Sequence, residues 1–322
     1  MKRICSVIIF SFMLFLQMPV GALAAELLIP GGQVIGLQLE DGSVTVAAFD
    51  DALGDRARQA GLRVGDIIES INGQEVSCVQ DIRGILEPGP ETVALTIRRG
   101  SKKHALQFVP YPTGSGSRLG VFLKQGISGI GTVTWIDPDS GIFGALGHGV
   151  NDGRGVLLAM TRGTAFPAEV ISVRKGAVGE PGQLKGNVGT PENWGNLFRN
   201  TPQGVFGTTL YGTSAEALPV AEYEDIVTGA ATIRSTVSGN TVQEYSVEIL
   251  KIYPEDRPCG RNFLLKVTDP RLLNTTGGIV QGMSGSPILQ NGTLVGAVTH
   301  VLVNDPTMGY GIFIENMTDA AE

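Results

Sequence analysis

Between residues 27 and 111 apolar and polar positions alternate in short runs bounded by turn residues, as in Val44-Thr45-Val46-Ala47 and Val93-Ala94-Leu95-Thr96-Ile97. A period of two sends one set of side chains to a buried face and the other to water, so these runs predict strands. Two stretches break the period. Residues 53–60 and 79–86 space their apolar side chains three and four apart and predict short helices; Asp81 falls early in the second, where a carboxylate suits the unpaired amides of a helix start. The run Tyr111-Pro112-Thr113-Gly114-Ser115-Gly116-Ser117 interrupts all periodicity and predicts a domain boundary. Beyond it, short alternating runs return, at Gly131 to Trp135, Val205 to Leu210, Ser246 to Leu250 and Leu294 to Val298, with no long amphipathic stretch. The pattern predicts a mainly β chain: a small α+β domain over 26–112, a linker over 113–117, and a β-rich domain over 118–322 built as a barrel, a sandwich or two small packed barrels.

The first 25 residues follow a different pattern. Lys2 and Arg3 precede a largely apolar run from Val7 to Leu16, and small residues stand at Ala22 and Ala24, which reads as an export signal cut just after; the alternative is an uncleaved anchor. The expected location is therefore outside the cytoplasmic membrane. Composition agrees with a folded chain, since 42% of its 322 residues are hydrophobic and only 17% charged, and its 45 glycines favour many tight turns. A net charge of −7 supplies no basic field for nucleic acid. Three cysteines, of which Cys5 lies in the signal, and three histidines leave neither a disulfide scaffold nor a His-rich metal centre, and no cofactor is expected.

Within the first domain, Ala60-Gly61-Leu62-Arg63-Val64-Gly65-Asp66-Ile67-Ile68 followed by Ile71-Asn72-Gly73 combines tight turns with one apolar face. This block resembles a PDZ domain. The resemblance implies a peptide groove in which a glycine-containing loop, Ile35-Gly36-Leu37, meets a chain-terminal carboxylate, Leu37 and Leu39 lie on the receiving strand, and residues 79–86 form the facing helix. The peptide would add as a strand, held by main-chain hydrogen bonds. Its source would be a partner or the chain's own terminus; the alternative is a spacer without ligand.

Two glycine-crowded motifs mark the second domain: Gly144-Ala145-Leu146-Gly147-His148-Gly149 and Gly282-Met283-Ser284-Gly285-Ser286-Pro287. A nucleophilic serine needs a base within reach and backbone amides converging on the developing oxyanion, and a Gly-x-Ser-Gly turn brings the amides of Gly282 and Ser284 together. The order His148 then Ser284 resembles chymotrypsin-like double-barrel peptidases. Together with Lys266-Val267-Thr268-Asp269-Pro270, Thr276-Gly277-Gly278-Ile279-Val280-Gln281 and Gly296-Ala297-Val298-Thr299-His300-Val301, these motifs resemble the stage IV sporulation protein B family of PDZ-containing serine peptidases. The resemblance implies an exported endopeptidase acting between forespore and mother cell. Its substrate would be a membrane-anchored regulator of an intramembrane metalloprotease, whose cleavage activates the late mother-cell sigma factor. It also points to Asp269 as the acid beside His148 and Ser284. No aspartate occurs from Gly153 to Glu224; Asp225 and Asp152 are alternatives, and Asp269-Pro270 can equally be a plain turn start. The competing function is a noncatalytic PDZ-bearing binding protein. Finally, Thr299 and His300 interrupt an apolar strand. They either donate to a Glu or Gln of the substrate before the scissile bond, or His300 bonds within the barrel.

Overall fold

The computed structural model describes residues 26–114, 116–188, 192–212 and 214–322, so the expected export signal lies outside the described residues. Among them, no helix is long and apolar enough to cross a membrane.

The expected alternation is realised strand by strand. In Val93–Arg99 the side chains of Val93, Leu95 and Ile97 are buried, and in Gln243–Ile252 those of Tyr245, Val247 and Ile249. Each fully buried aliphatic side chain contributes about 1.5–3 kcal/mol relative to exposure, which holds the register against a one-residue slip. The helix Val79–Leu86 buries Ile82 and Leu86 one turn apart, and the Asp81 carboxylate accepts from the backbone amides of Ser77 and Cys78 at 2.8 and 3.0 Å. Those bonds pull the Asp81 pKa down to about 2.

The second half of the chain closes a six-stranded antiparallel barrel in the order Gly229–Ser235, Gln243–Ile252, Phe263–Val267, Asp305–Phe313, Thr293–Leu302, Pro287–Gln290. Phe263 and Phe313 meet edge to face inside it, with centroids 4.9 Å apart. Another barrel, earlier in the chain and so the first barrel with the six-stranded one as the second, forms from Val121–Ile136, Ile142–Ala145, Gly204–Thr209, Gly195–Thr201, Arg162–Arg174 and Val34–Phe49, and the pairing of Val34–Phe49 with Val121–Ile136 closes it. Its core gathers Ile35, Leu37, Val133, Phe143 and Leu146.

That closure corrects the boundaries expected over 112–118. Val34–Phe49 and Val121–Ile136 are long strands that each serve two bodies. Residues 34–39 pair with 127–132 inside the barrel, whereas residues 44–49 pair with 121–125, and Val44 and Thr45 pair with Ile68 and Ile67, in the small α+β domain. The small domain is thus inserted between the first two barrel strands; residues 26–40 belong to the barrel and residues 116–125 to the small domain. The Pro/Gly/Ser run is a hairpin within it, where Tyr111–Thr113 pairs with Gly116–Arg118 and the Thr113 hydroxyl donates to the Gly116 carbonyl at 3.0 Å. Turn chemistry marks a change of chain direction, which a tight hairpin and an interdomain linker share.

Candidate active site

A cleft of about 680 Å³ lies between the two barrels, with His148 on one wall and Ser284 on the other. Ser284 sits on a turn anchored at both sides: Met283 is fully buried in the second barrel, and the Ser286 hydroxyl is buried and donates to the Ser235 hydroxyl at 3.0 Å. Gly285 adopts φ +95°, and a Cβ there would stand 2.1 Å from the Thr132 carbonyl oxygen, so only glycine lets the turn approach the first barrel this closely. Thr132, a residue that sequence reasoning placed only on a strand, clamps the turn. Its hydroxyl donates to the Gly282 carbonyl at 2.8 Å and its amide to the Ser284 carbonyl at 3.1 Å. Both carbonyls are thereby turned onto the first barrel. The Gly282 and Ser284 amides have no hydrogen-bond partner among the described residues.

Thr132 also reaches the histidine turn, since its carbonyl accepts from the Leu146 amide at 3.2 Å. Leu146 holds φ +72°, a conformation unfavourable for a bulky side chain, and its burial in the first barrel's core offsets that strain. The chain then reverses through Gly147 and presents the His148 ring to the cleft. Nδ1 of His148 lies 3.0 Å from the Gly149 carbonyl oxygen. This contact favours the tautomer with the proton on Nδ1 and leaves Nε2 as the acceptor. Burial lowers the His148 pKa from 6.5, and the Gly149 carbonyl pulls the other way, so the imidazole is a neutral base at pH 7. Ser284 Oγ donates to the Thr299 carbonyl at 2.8 Å, not to His148; a nucleophilic role requires the hydroxyl to leave that carbonyl for the imidazole.

Thr299 and His300 are consecutive in a strand and diverge, Thr299 buried and His300 exposed, as successive strand side chains do; the pairing of their strand also shifts register between Val298 and His300. The Thr299 hydroxyl leaves the cleft and donates to the Gly260 carbonyl at 3.3 Å, while the His300 ring approaches His148, centroid to centroid 5.3 Å. Packing in the cleft, the neighbouring His148 and then Arg261 push the His300 pKa down to about 4.

The structure does not bring Asp269 to His148. Asp269 is buried at the start of the helix Pro270–Thr276, where its carboxylate accepts from the Arg271 amide at 2.8 Å, the Arg271 guanidinium at 2.7 Å and the Ser246 amide at 3.3 Å. The guanidinium foremost holds its carboxyl well below the usual carboxylate range. It is a helix cap, and Asp-Pro is the turn start that the sequence also allowed. Asp152 spends its carboxylate on Arg154 and local amides, and Asp225 ends a one-turn 3-10 helix; neither lines the cleft.

The strand expected to receive a peptide is also covered. Ile35, Gly36, Leu37 and Leu39 are interior to the first barrel, paired with residues 163–167 on one edge and 127–131 on the other, so no edge remains for a peptide. The open groove of the small domain runs between the helix Val79–Leu86 and residues 119–123, lined by Ile82, Leu86, Leu119, Gly120, Val121 and Leu123. Residues 121–123 are paired on one edge, with 46–49. The apolar-Gly run Leu119-Gly120-Val121-Phe122 was the available signal, obscured by its place just after a turn that reads as a linker.

The SpoIVB peptidase S55 family model matches residues 115–318. The chain belongs to the SpoIVB peptidase S55 family. It is a serine peptidase with a PDZ domain, whose own family model matches residues 56–99. No curated protein sequence matches the chain. Among solved structures, the Rv3671c protease of M. tuberculosis in its active form is 14% identical, covering 60% of this chain and 73% of that one at TM-score 0.37. Its inactive form is 15% identical over 59% and 82%, at TM-score 0.36. The PDZ domain of the SdrC-like protein from Listeria monocytogenes is 20% identical, covering 25% of this S55 peptidase and 85% of that chain at TM-score 0.22.

Proposed function

We propose that this S55 peptidase is an exported endopeptidase that works through a Ser284 acyl-enzyme with His148 as its base. The observation that carries the reading is the clamped turn at Ser284, which presents two unengaged amides in the same cleft as a neutral imidazole. Ser284 Oγ attacks the scissile carbonyl carbon and passes its proton to His148 Nε2; the carbonyl oxygen, now negative, is held by the Gly282 and Ser284 amides. On collapse the C–N bond breaks and His148 returns the proton to the leaving amine; water then repeats the sequence to release the acid. The Gly149 carbonyl takes the orienting part that an acid plays in a full triad, which makes the site a serine–histidine dyad. Membership of the S55 family supports a sporulation substrate, a membrane-anchored regulator of an intramembrane metalloprotease, met in the space between forespore and mother cell. The open groove of the PDZ domain supports capture of an extended peptide from that substrate or from the chain itself.

A fluorophosphonate probe tests the chemistry. Wild-type protein is expected to be labelled at Ser284, with labelling abolished in Ser284→Ala and cut at least about a hundredfold in His148→Ala. Correctly folded wild type that takes no label, or a label on Ser286, would overturn the reading.

A further inference from the structure

We infer that the pocket beside Ser284 accepts a small aliphatic side chain at the substrate residue just before the scissile bond, and that Ile279 sets its depth. The inference rests on Ser284 as the nucleophile. With the scissile carbonyl carbon over Ser284 Oγ and its oxygen on the Gly282 and Ser284 amides, the acyl-side side chain falls between two walls of the cleft. One is the approach to the nucleophile, residues 279–282, and the other is residues 299–301.

Ile279 closes the space between them. It lines the cleft yet is only 2% exposed, and it belongs to the core of the second barrel. Its Cδ1 lies where the opposite strand has no side chain: a Cβ on Gly309 would stand 2.6 Å from it. The Ile279 amide donates to the Pro306 carbonyl at 2.8 Å, and a Cβ on Gly278 would stand 2.0 Å from that same oxygen, so the backbone under Ile279 is pressed against residues 306–307. The isoleucine cannot swing aside without displacing barrel core.

The chemistry of the walls is equally restrictive. No Asp, Glu, Lys or Arg side chain lines the cleft among the described residues. A charged side chain entering the pocket would be desolvated without a partner, which costs far more than leaving it in water. The Thr299 hydroxyl is engaged by the Gly260 carbonyl, and His300, beside the His148 ring with its pKa pushed down to about 4, is neutral at pH 7 and offers no counter-charge to a Glu. A phenylalanine ring meets the Ile279 floor. Alanine and valine fit, and close-packed walls discriminate against each surplus methylene by about tenfold or more.

The test is a fluorogenic peptide library cleaved by the full-length chain, varied only at the residue before the scissile bond, with fluorophosphonate labelling of Ser284 measured in parallel. The expected profile has kcat/KM for Ala and Val above that for Phe, Arg and Glu by about tenfold or more. Ile279→Ala should deepen the pocket and move the preference toward Leu and Phe, and Ile279→Val should move it part-way at less risk to the core. A wild-type preference for Phe, Arg or Glu overturns the inference without any variant, and so does an unchanged profile in a cooperatively folded Ile279→Ala. Loss of Ser284 labelling in wild type overturns the nucleophile, and the pocket with it; labelling together with a non-aliphatic profile overturns the pocket alone.

Discussion

Ser284 and Ser286 stand two positions apart in one glycine-rich turn, yet only one hydroxyl reaches the cleft: Ser286 is buried against Ser235 while Ser284 lines the space facing His148. Asp269 shows the same division between chemistry and support. Its lowered pKa makes it a stabilising anion, and the sign follows from that direction. The stabilisation is complete above the unfolded carboxyl pKa near 3.8 and is lost as pH falls through the lower folded value. Asp269→Asn keeps a capping oxygen but loses the ion pair with Arg271, whose side chain is 65% exposed, so the expected cost is about 1–2 kcal/mol at pH 7. Thermal melts should show that difference shrinking below about pH 4, while kcat/KM at a temperature where both proteins are folded stays within a few-fold. A loss approaching 10⁴-fold with an unchanged melt would restore Asp269 to the site as a triad acid.

Among the elements, Val121–Ile136 connects the two functional ends of the molecule. Its first residues form one wall of the small domain's groove, and Thr132, about 36 Å further along at roughly 3.3 Å per residue, grips the Ser284 turn and the His148 turn together. Because the strand is paired along most of that length with Val34–Phe49, it acts as a two-stranded ribbon and not as a tether. Thr132 is completely buried, so Thr132→Val conserves volume and β-propensity while deleting the hydroxyl that holds the Gly282 carbonyl. Leaving that carbonyl unpaired costs about 1–3 kcal/mol and frees the oxyanion amides to wander. The expected result is a fall in kcat of about tenfold or more with KM little changed. A variant with wild-type kcat would show that Gly285 and Met283 hold the turn unaided.

In the whole molecule, the small domain is an insertion in the first barrel and not a leading module. A fragment of residues 26–112 would lack Leu119, Val121 and Leu123, which pack on the small domain's core, and would expose Ile29, Ile35, Leu37 and Leu39, which belong to the barrel. A fragment of residues 41–126 retains every strand of the small domain except its barrel extensions. Circular dichroism melts and NMR dispersion should find the 41–126 fragment cooperatively folded and the 26–112 fragment not. The opposite outcome would return the boundary to residues 112–118.

Local pattern and turn chemistry determined a good deal. Period-two alternation set the mainly β character, the 3–4 spacing set the helix Val79–Leu86, and two glycine-crowded motifs singled out His148 and Ser284, because side-chain periodicity and positive φ are properties of neighbouring residues. Partnership across the chain was decided only by the tertiary structure. The strand Ile35 to Leu39 looks alike whether its edge is open or paired, and an aspartate before proline looks alike as a helix cap or a catalytic acid. Thr132 differs from other strand threonines only through Gly282 and Ser284, about 150 residues away. Such roles depend on which distant backbone groups a side chain meets, and that is settled when burial and hydrogen bonding are satisfied over the whole fold at once.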